Sequence, residues 1–102
     1  MKLYLDDVRK CPENWIPVRY VRDMIQLLQE QNVSEISLDN DLGEFEPEGY
    51  EVVRWMEEKV ALQPGAYTPP TIYVHTANPV ARKKMLAGIE SIKRMLERNK
   101  NV

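Results

Sequence analysis

Three short apolar runs each lead into side chains that can hold a metal or move a proton. Lys2–Leu5 runs into Asp6 and Asp7, Glu35–Leu38 into Asp39, Asn40 and Asp41, and Thr71–Val74 into His75, Thr76 and Asn78. If the runs are neighbouring parallel strands, these groups meet at one sheet edge, where open α/β sheets place their ligands. Clustered carboxylates repel one another, and a divalent cation relieves the repulsion. An all-oxygen donor set suits Mg²⁺ or Mn²⁺. Asp6, Asp7 and Asp39 are the leading candidate ligands. Their simplest alternative use is as helix caps and turn formers, but no helix pattern follows Asp7 directly. Asp41 is either a further acid of the metal site or a support for the turn through Leu42 and Gly43.

His75 is the only histidine. Histidine is the side chain type whose unperturbed pKa lies near neutrality, which makes this residue a candidate general acid or base. The alternative is a histidine satisfied within the core. Successive strand side chains point to opposite faces, so His75 and Thr76 share a site only if the strand has ended by Val74. Asn78 precedes Pro79 and has the signature of a helix N-cap. The same helix end is an anion site. Arg82, one turn in, either grips that anion bidentately or stands exposed in the Arg82-Lys83-Lys84 run.

The elements around these groups are readable from pattern. Leu3–Leu5, Ile36–Leu38 and Thr71–Val74 read as strands, and residues 8–14 with Pro12 read as a loop. Trp15–Tyr20 alternates but contains Pro17, which cannot donate to a ladder, so this strand belongs at an edge. Val21, Met24, Ile25 and Leu28 recur at helical spacing, as do Val52, Val53, Met56 and Val60 within 50–62. Pro79–Lys100 reads as a long last helix with Met85, Ile89, Ile92 and Leu96 on its buried stripe. Alternating strands and helices predict a parallel sheet covered on both faces.

A chain of 102 residues makes one domain, spanning 1–102, with a modest core. The net charge of −2 gives no global field toward nucleic acid or membrane. The charge is uneven, however. Residues 39–58 hold eight acids and one base, and residues 82–102 hold seven bases and two acids. Two solvated helix faces explain this, as does a basic wall beside an acidic metal site. The lone Cys11 excludes an internal disulfide and fits a reducing compartment. With no signal-like start and no long apolar run, the reading is a cytoplasmic protein without a membrane span.

These residues resemble the receiver domain of two-component response regulators over roughly residues 1–77. That family carries an acidic pair after its first strand, like Asp6-Asp7. A phosphate-accepting aspartate follows its third strand, like Asp39 in Ser-Leu-Asp-Asn-Asp-Leu-Gly. A glycine before the next helix is like Gly49, and a Thr/Ser-Ala pair is like Thr76-Ala77. There are departures. Residues 8–14 leave no room for the first helix, and no fifth strand with its phosphoryl-contacting lysine follows Thr76. Asp41, His75, Asn78 and Arg82 are not standard receiver residues. The Leu-Asp-x-Asp-Leu-Gly and His-Thr-x-Asn-Pro patterns are similar to a divergent receiver-like family named for cyclic-phosphate processing. The resemblance, with Pro17, implies a truncated receiver or flavodoxin-like α/β fold. Its small open parallel sheet of four strands has order 2-1-3-4, with helices on both faces.

Two functions follow from different classes. The first is a divalent-metal-dependent phosphodiesterase or phosphohydrolase acting on cyclic phosphates or cyclic nucleotides. In it Asp6, Asp7, Asp39 and Asp41 hold Mg²⁺ or Mn²⁺, and Asp39 is a ligand or transient nucleophile. His75 moves the proton, while Thr76, Asn78 and Arg82 hold phosphoryl oxygens. The second is a non-catalytic atypical receiver that binds a protein partner. A small phosphorylated or nucleotide-like ligand is the expected partner. Nucleic acid is supported only by the basic last helix. The unpaired Thr71–Val74 edge is covered by the last helix in a monomer or shared in a weak homodimer.

Overall fold

The computed structural model describes residues 1–100. The elements are β1 (Lys2–Leu5), β2 (Ile16–Val18), α1 (Val21–Glu30), β3 (Glu35–Leu38), α2 (Tyr50–Leu62), β4 (Thr71–Val74) and α3 (Pro79–Lys100). All strand pairings are parallel, in the order β2-β1-β3-β4. This is the predicted order, with the Pro17 strand at one edge and β4 at the other. Tyr4 lies opposite both Pro17 and Ser37, and Ser37 lies opposite Tyr73.

The strands alternate strictly. Leu3, Leu5, Ile36 and Leu38 are fully buried, whereas Lys2, Tyr4, Glu35 and Tyr73 stand on the opposite face. The buried residues of all three helices form one cluster with the leucine face. Val21, Met24 and Leu28 come from α1, Val52, Val53, Met56 and Val60 from α2, and Met85, Ile89 and Ile92 from α3. Successive helices pack on one another across this face. At Gly88 of α3 an added Cβ would come within 2.6 Å of the Val53 side chain on α2, so the two helices meet where a side chain is missing.

The expectation of helices on both faces is therefore corrected: all three lie on one. The reason is topological. Right-handed crossovers from β2 to β3 and from β3 to β4 run in the same direction across the sheet, so α1 and α2 must share a side. The crossover from β1 back to β2 runs the other way, over the second face, and residues 6–15 are a loop. That face carries an aromatic cluster instead. Trp15 meets Tyr4 and Tyr73 edge-on, with ring centroids 6.4 and 6.3 Å apart. Lys2 and Glu35 form an ion pair beside it at 3.3 Å, and Tyr73 Oη donates to Glu35 at 3.1 Å.

Candidate functional site

Each of the first three site residues extends a ladder by one hydrogen bond past its strand. The Asp6 N–H donates to the Val18 carbonyl at 3.0 Å, and the Asp39 N–H to the Leu5 carbonyl at 2.9 Å. The His75 N–H donates to the Leu38 carbonyl at 2.9 Å. Three strand ends are thereby held in register, and alternation puts Asp6, Asp39 and His75 on the face of Tyr4 and Ser37.

Asp6, Asp7 and Asp39 come together: one ligand atom from each lies within 4.8 Å of the others. Asp6 and Asp39 are buried, and Asp7 is half-buried. Asp6 has a full set of donors. Its Oδ1 accepts the backbone N–H groups of Val8 and Arg9, both at 2.9 Å. Its Oδ2 faces His75 Nε2 at 2.9 Å and Arg9 Nη1 at 3.0 Å. Burial by itself would push this carboxyl up. The two backbone N–H groups, the guanidinium and the imidazole outweigh burial and hold it at about 2. Asp6 is thus ionised at neutral pH, so His75 Nε2 carries a proton and donates it. The other ring nitrogen, Nδ1, lies 2.7 Å from Ser37 Oγ. The imidazole also stacks on Tyr4, whose phenol is pushed up by burial and by the Asp6 charge. Both ring nitrogens are engaged, so His75 reaches a further group only by exchanging a partner.

Asp39 Oδ1 accepts the N–H of Asn40 at 2.8 Å, and its Oδ2 lies 3.2 Å from Arg9 Nη1. The turn after Asp39 is locked to α2. Gly49 N–H donates to the Asn40 carbonyl at 2.9 Å, and Tyr50 N–H to Asn40 Oδ1 at 3.0 Å. An added Cβ at Gly49 would stand 1.8 Å from the Asp39 carbonyl oxygen, so only glycine permits this approach. Gly43 sits beside Asp7 with φ +116°, a conformation natural to glycine.

The remaining candidates lie apart from the carboxylates. Asp41 is exposed and accepts from Asn40 Nδ2 at 3.3 Å. It also receives a long 3.5 Å contact from Asn78 Nδ2. Asp41 is not among the three carboxylates that cluster. Asn78 is the N-cap of α3: its Oδ1 accepts the N–H groups of Val80 and Ala81, both at 3.1 Å. Thr76 is buried, and its Oγ1 accepts the Asn78 N–H at 3.2 Å. Arg82 Nη1 donates to the Val74 carbonyl at 3.0 Å, at the exposed edge of β4.

Three participants escape sequence reasoning. Arg9, inside the loop 6–15, bridges Asp6 and Asp39. Ser37 and Tyr4, in mid-strand, hold the imidazole. The spacing Asp6-Asp7-Val8-Arg9 could have flagged Arg9 as a partner three residues from an acid. Nothing in the strands marked Ser37 beyond its being polar amid apolar neighbours.

No helix is long and apolar enough to cross a membrane among the described residues. No curated protein and no solved structure matches the chain. The model of the family described as the cyclic-phosphate processing receiver domain matches residues 1–91, as the motif resemblance implies, and the chain belongs to that family.

Proposed function

We propose that the chain is a divalent-metal-dependent phosphoester enzyme that opens cyclic phosphates or cyclic nucleotides. The observation that carries this reading is the convergence of Asp6, Asp7 and Asp39 beside His75. A signalling receiver has no evident use for an imidazole bonded to its acidic pair, whereas proton movement at a phosphoester does. The donor set fits a hard cation. It is all oxygen, carries three negative charges and is partly open through Asp7. Asp6, Asp7 and Asp39 would hold Mg²⁺ or Mn²⁺. Such an ion polarises a phosphoryl group and offsets its charge.

The chain's own residues do the rest. Ser37 and Tyr4 fix the plane of His75. His75 fixes Asp6 and keeps a proton at Nε2 at the crevice. Asn78, Thr76 and Arg82 would gather the oxygens that the carboxylates repel, with Arg82 released from Val74. Asp41, tied to Asn40 and Asn78, would brace the turn between the two groups of ligands. The active unit is read as a monomer or weak homodimer.

The test is turnover of a 2′,3′-cyclic nucleotide followed by phosphorus NMR, with Mg²⁺, with Mn²⁺ and with chelator. Loss of the cyclic phosphate signal only with metal, and not in Asp39→Asn, is the expected result. Metal binding without any turnover across cyclic phosphates would favour the non-catalytic binding module.

A further inference from the structure

We propose that Arg9 is a displaceable stand-in for the divalent cation, and that the ion's arrival turns its guanidinium toward the phosphoryl anion. The inference rests on the metal reading above.

A single nitrogen, Arg9 Nη1, lies 3.0 Å from Asp6 Oδ2 and 3.2 Å from Asp39 Oδ2. An arginine beside one carboxylate usually offers two nitrogens to its two oxygens. Here one nitrogen is shared between carboxylates from two different strands. It serves as a point of positive charge in the gap between them, the work expected of a metal ion. The acids need such a charge, because the Asp6 and Asp39 side chains are only 1% and 7% exposed. Buried like charges at this separation repel strongly. An ion in the same gap would meet the guanidinium at close range, so the two cations exclude each other.

Arg9 is built to yield. Its backbone N–H is anchored on Asp6 Oδ1 at 2.9 Å, independently of its side chain. The side chain is 40% exposed and bonds to nothing but Asp6 and Asp39 among the described residues. Rotation about its own bonds carries the guanidinium toward solvent while the backbone stays in place. Once displaced, it stands at the mouth of the crevice, free to bind an anion held by the ion. Arg82, in contrast, is occupied by the Val74 carbonyl. Metal and anion binding are then coupled through Arg9, and the coupling is reciprocal.

Calorimetry with Mn²⁺ alone, on the wild type, Arg9→Gln and Asp39→Asn, tests the first half. Arg9→Gln should bind Mn²⁺ tighter, by roughly tenfold, and Asp39→Asn weaker. Inorganic phosphate, added with Mn²⁺ at saturation, tests the second half: it should bind the wild type and fail on Arg9→Gln. Equal or weaker Mn²⁺ binding by Arg9→Gln, with the wild type binding and Asp39→Asn not, overturns this inference and leaves the metal reading standing. No Mn²⁺ binding by either the wild type or Arg9→Gln overturns both. Should Arg9→Gln not fold, the wild type suffices. The Arg9 side-chain nitrogen resonances should shift on Mg²⁺ titration, and resonances unmoved at saturation overturn the proposal.

Discussion

The imidazole of His75 lies flat over the ring of Tyr4, with 4.2 Å between centroids and 2° between planes. Tyr4 lies in β1 and His75 directly follows β4, and these strands are not neighbours: β3 runs between them. Adjacent strands stand about 4.8 Å apart, so His75 must reach across β3 to make this contact. What it crosses is Ser37, whose hydroxyl meets Nδ1. A small side chain at this position opens the path, and its oxygen fixes the ring.

Ser37 should therefore tolerate loss of its hydroxyl better than gain of bulk. Ser37→Ala keeps the path and removes one hydrogen bond, a loss of about 1 kcal/mol. Ser37→Leu blocks the path and should drive the imidazole off Tyr4. The His75 ring protons, shifted by the Tyr4 ring current, report this directly by NMR. An unchanged His75 shift in Ser37→Leu would show that the ring does not cross β3 here.

Removing the ring itself should lower stability. His75→Ala leaves the buried Ser37 hydroxyl and Asp6 Oδ2 short of partners and ends the stack on Tyr4. The cost should be about 2 kcal/mol in metal-free buffer. His75→Gln can keep hydrogen bonds but not the proton exchange of an imidazole. If His75 moves a proton in turnover, both variants should slow it by roughly 10²–10⁴-fold. Full turnover in His75→Gln would reduce the residue to a positioner of Asp6.

Gly49→Ala should be among the most damaging single substitutions. Its Cβ would stand 1.8 Å from the Asp39 carbonyl oxygen and 2.9 Å from its carbon. Both are backbone atoms that no rotamer change can move aside. Either α2 retreats or the Asp39 turn shifts, at a cost of about 3 kcal/mol or more. Chemical denaturation measures the loss. Mn²⁺ binding should weaken in whatever fraction stays folded, since Asp39 is carried by that turn.

The edge that gathers the carboxylates and His75 was legible because its residues follow apolar runs, and those runs became β1, β3 and β4 with the predicted order. The one-sided layering was written in the same strands. Lys2-Leu3-Tyr4-Leu5, Glu35-Ile36-Ser37-Leu38 and Thr71-Ile72-Tyr73-Val74 each alternate polar and apolar. A parallel strand buried on both faces reads as an unbroken apolar run. The βαβ order masked this signal by suggesting two helical layers. His75 and Thr76 illustrate the other limit. Alternation continued past Val74 puts His75 on the face of Tyr4 and Ser37, but periodicity does not show that His75 reaches Asp6 over a serine. Arg9 was hidden because a loop arginine has no periodicity at all.

Asp6 sets an acid limit on the metal-free fold. Its carboxyl sits at about 2 in the folded chain against an ordinary 3.8, so folding favours the ionised form. A depressed folded value gives stability that is complete above the ordinary value. That stability is lost as pH falls from 3.8 towards about 2. The amount is about 2 kcal/mol. Urea midpoints measured with chelator should fall across this window in the wild type, and less so in Asp6→Asn. Equal pH slopes would mean that Asp6 is not the group held low.

Arg82 separates two uses of one side chain. Its guanidinium now caps the Val74 carbonyl at the edge of β4, where water can replace it. Arg82→Ala should therefore cost less than about 1 kcal/mol of stability. A grip on phosphoryl oxygens would show elsewhere, as a raised KM for the cyclic phosphate with kcat nearly unchanged. Arg82→Lys should fail to restore it, because an ammonium lacks the planar fork that holds two oxygens. An unchanged KM in Arg82→Ala would confine Arg82 to the strand edge. Phosphate contact would then fall to Arg9 alone, the arginine that bridges Asp6 and Asp39, and the KM effect should appear only in Arg9→Gln.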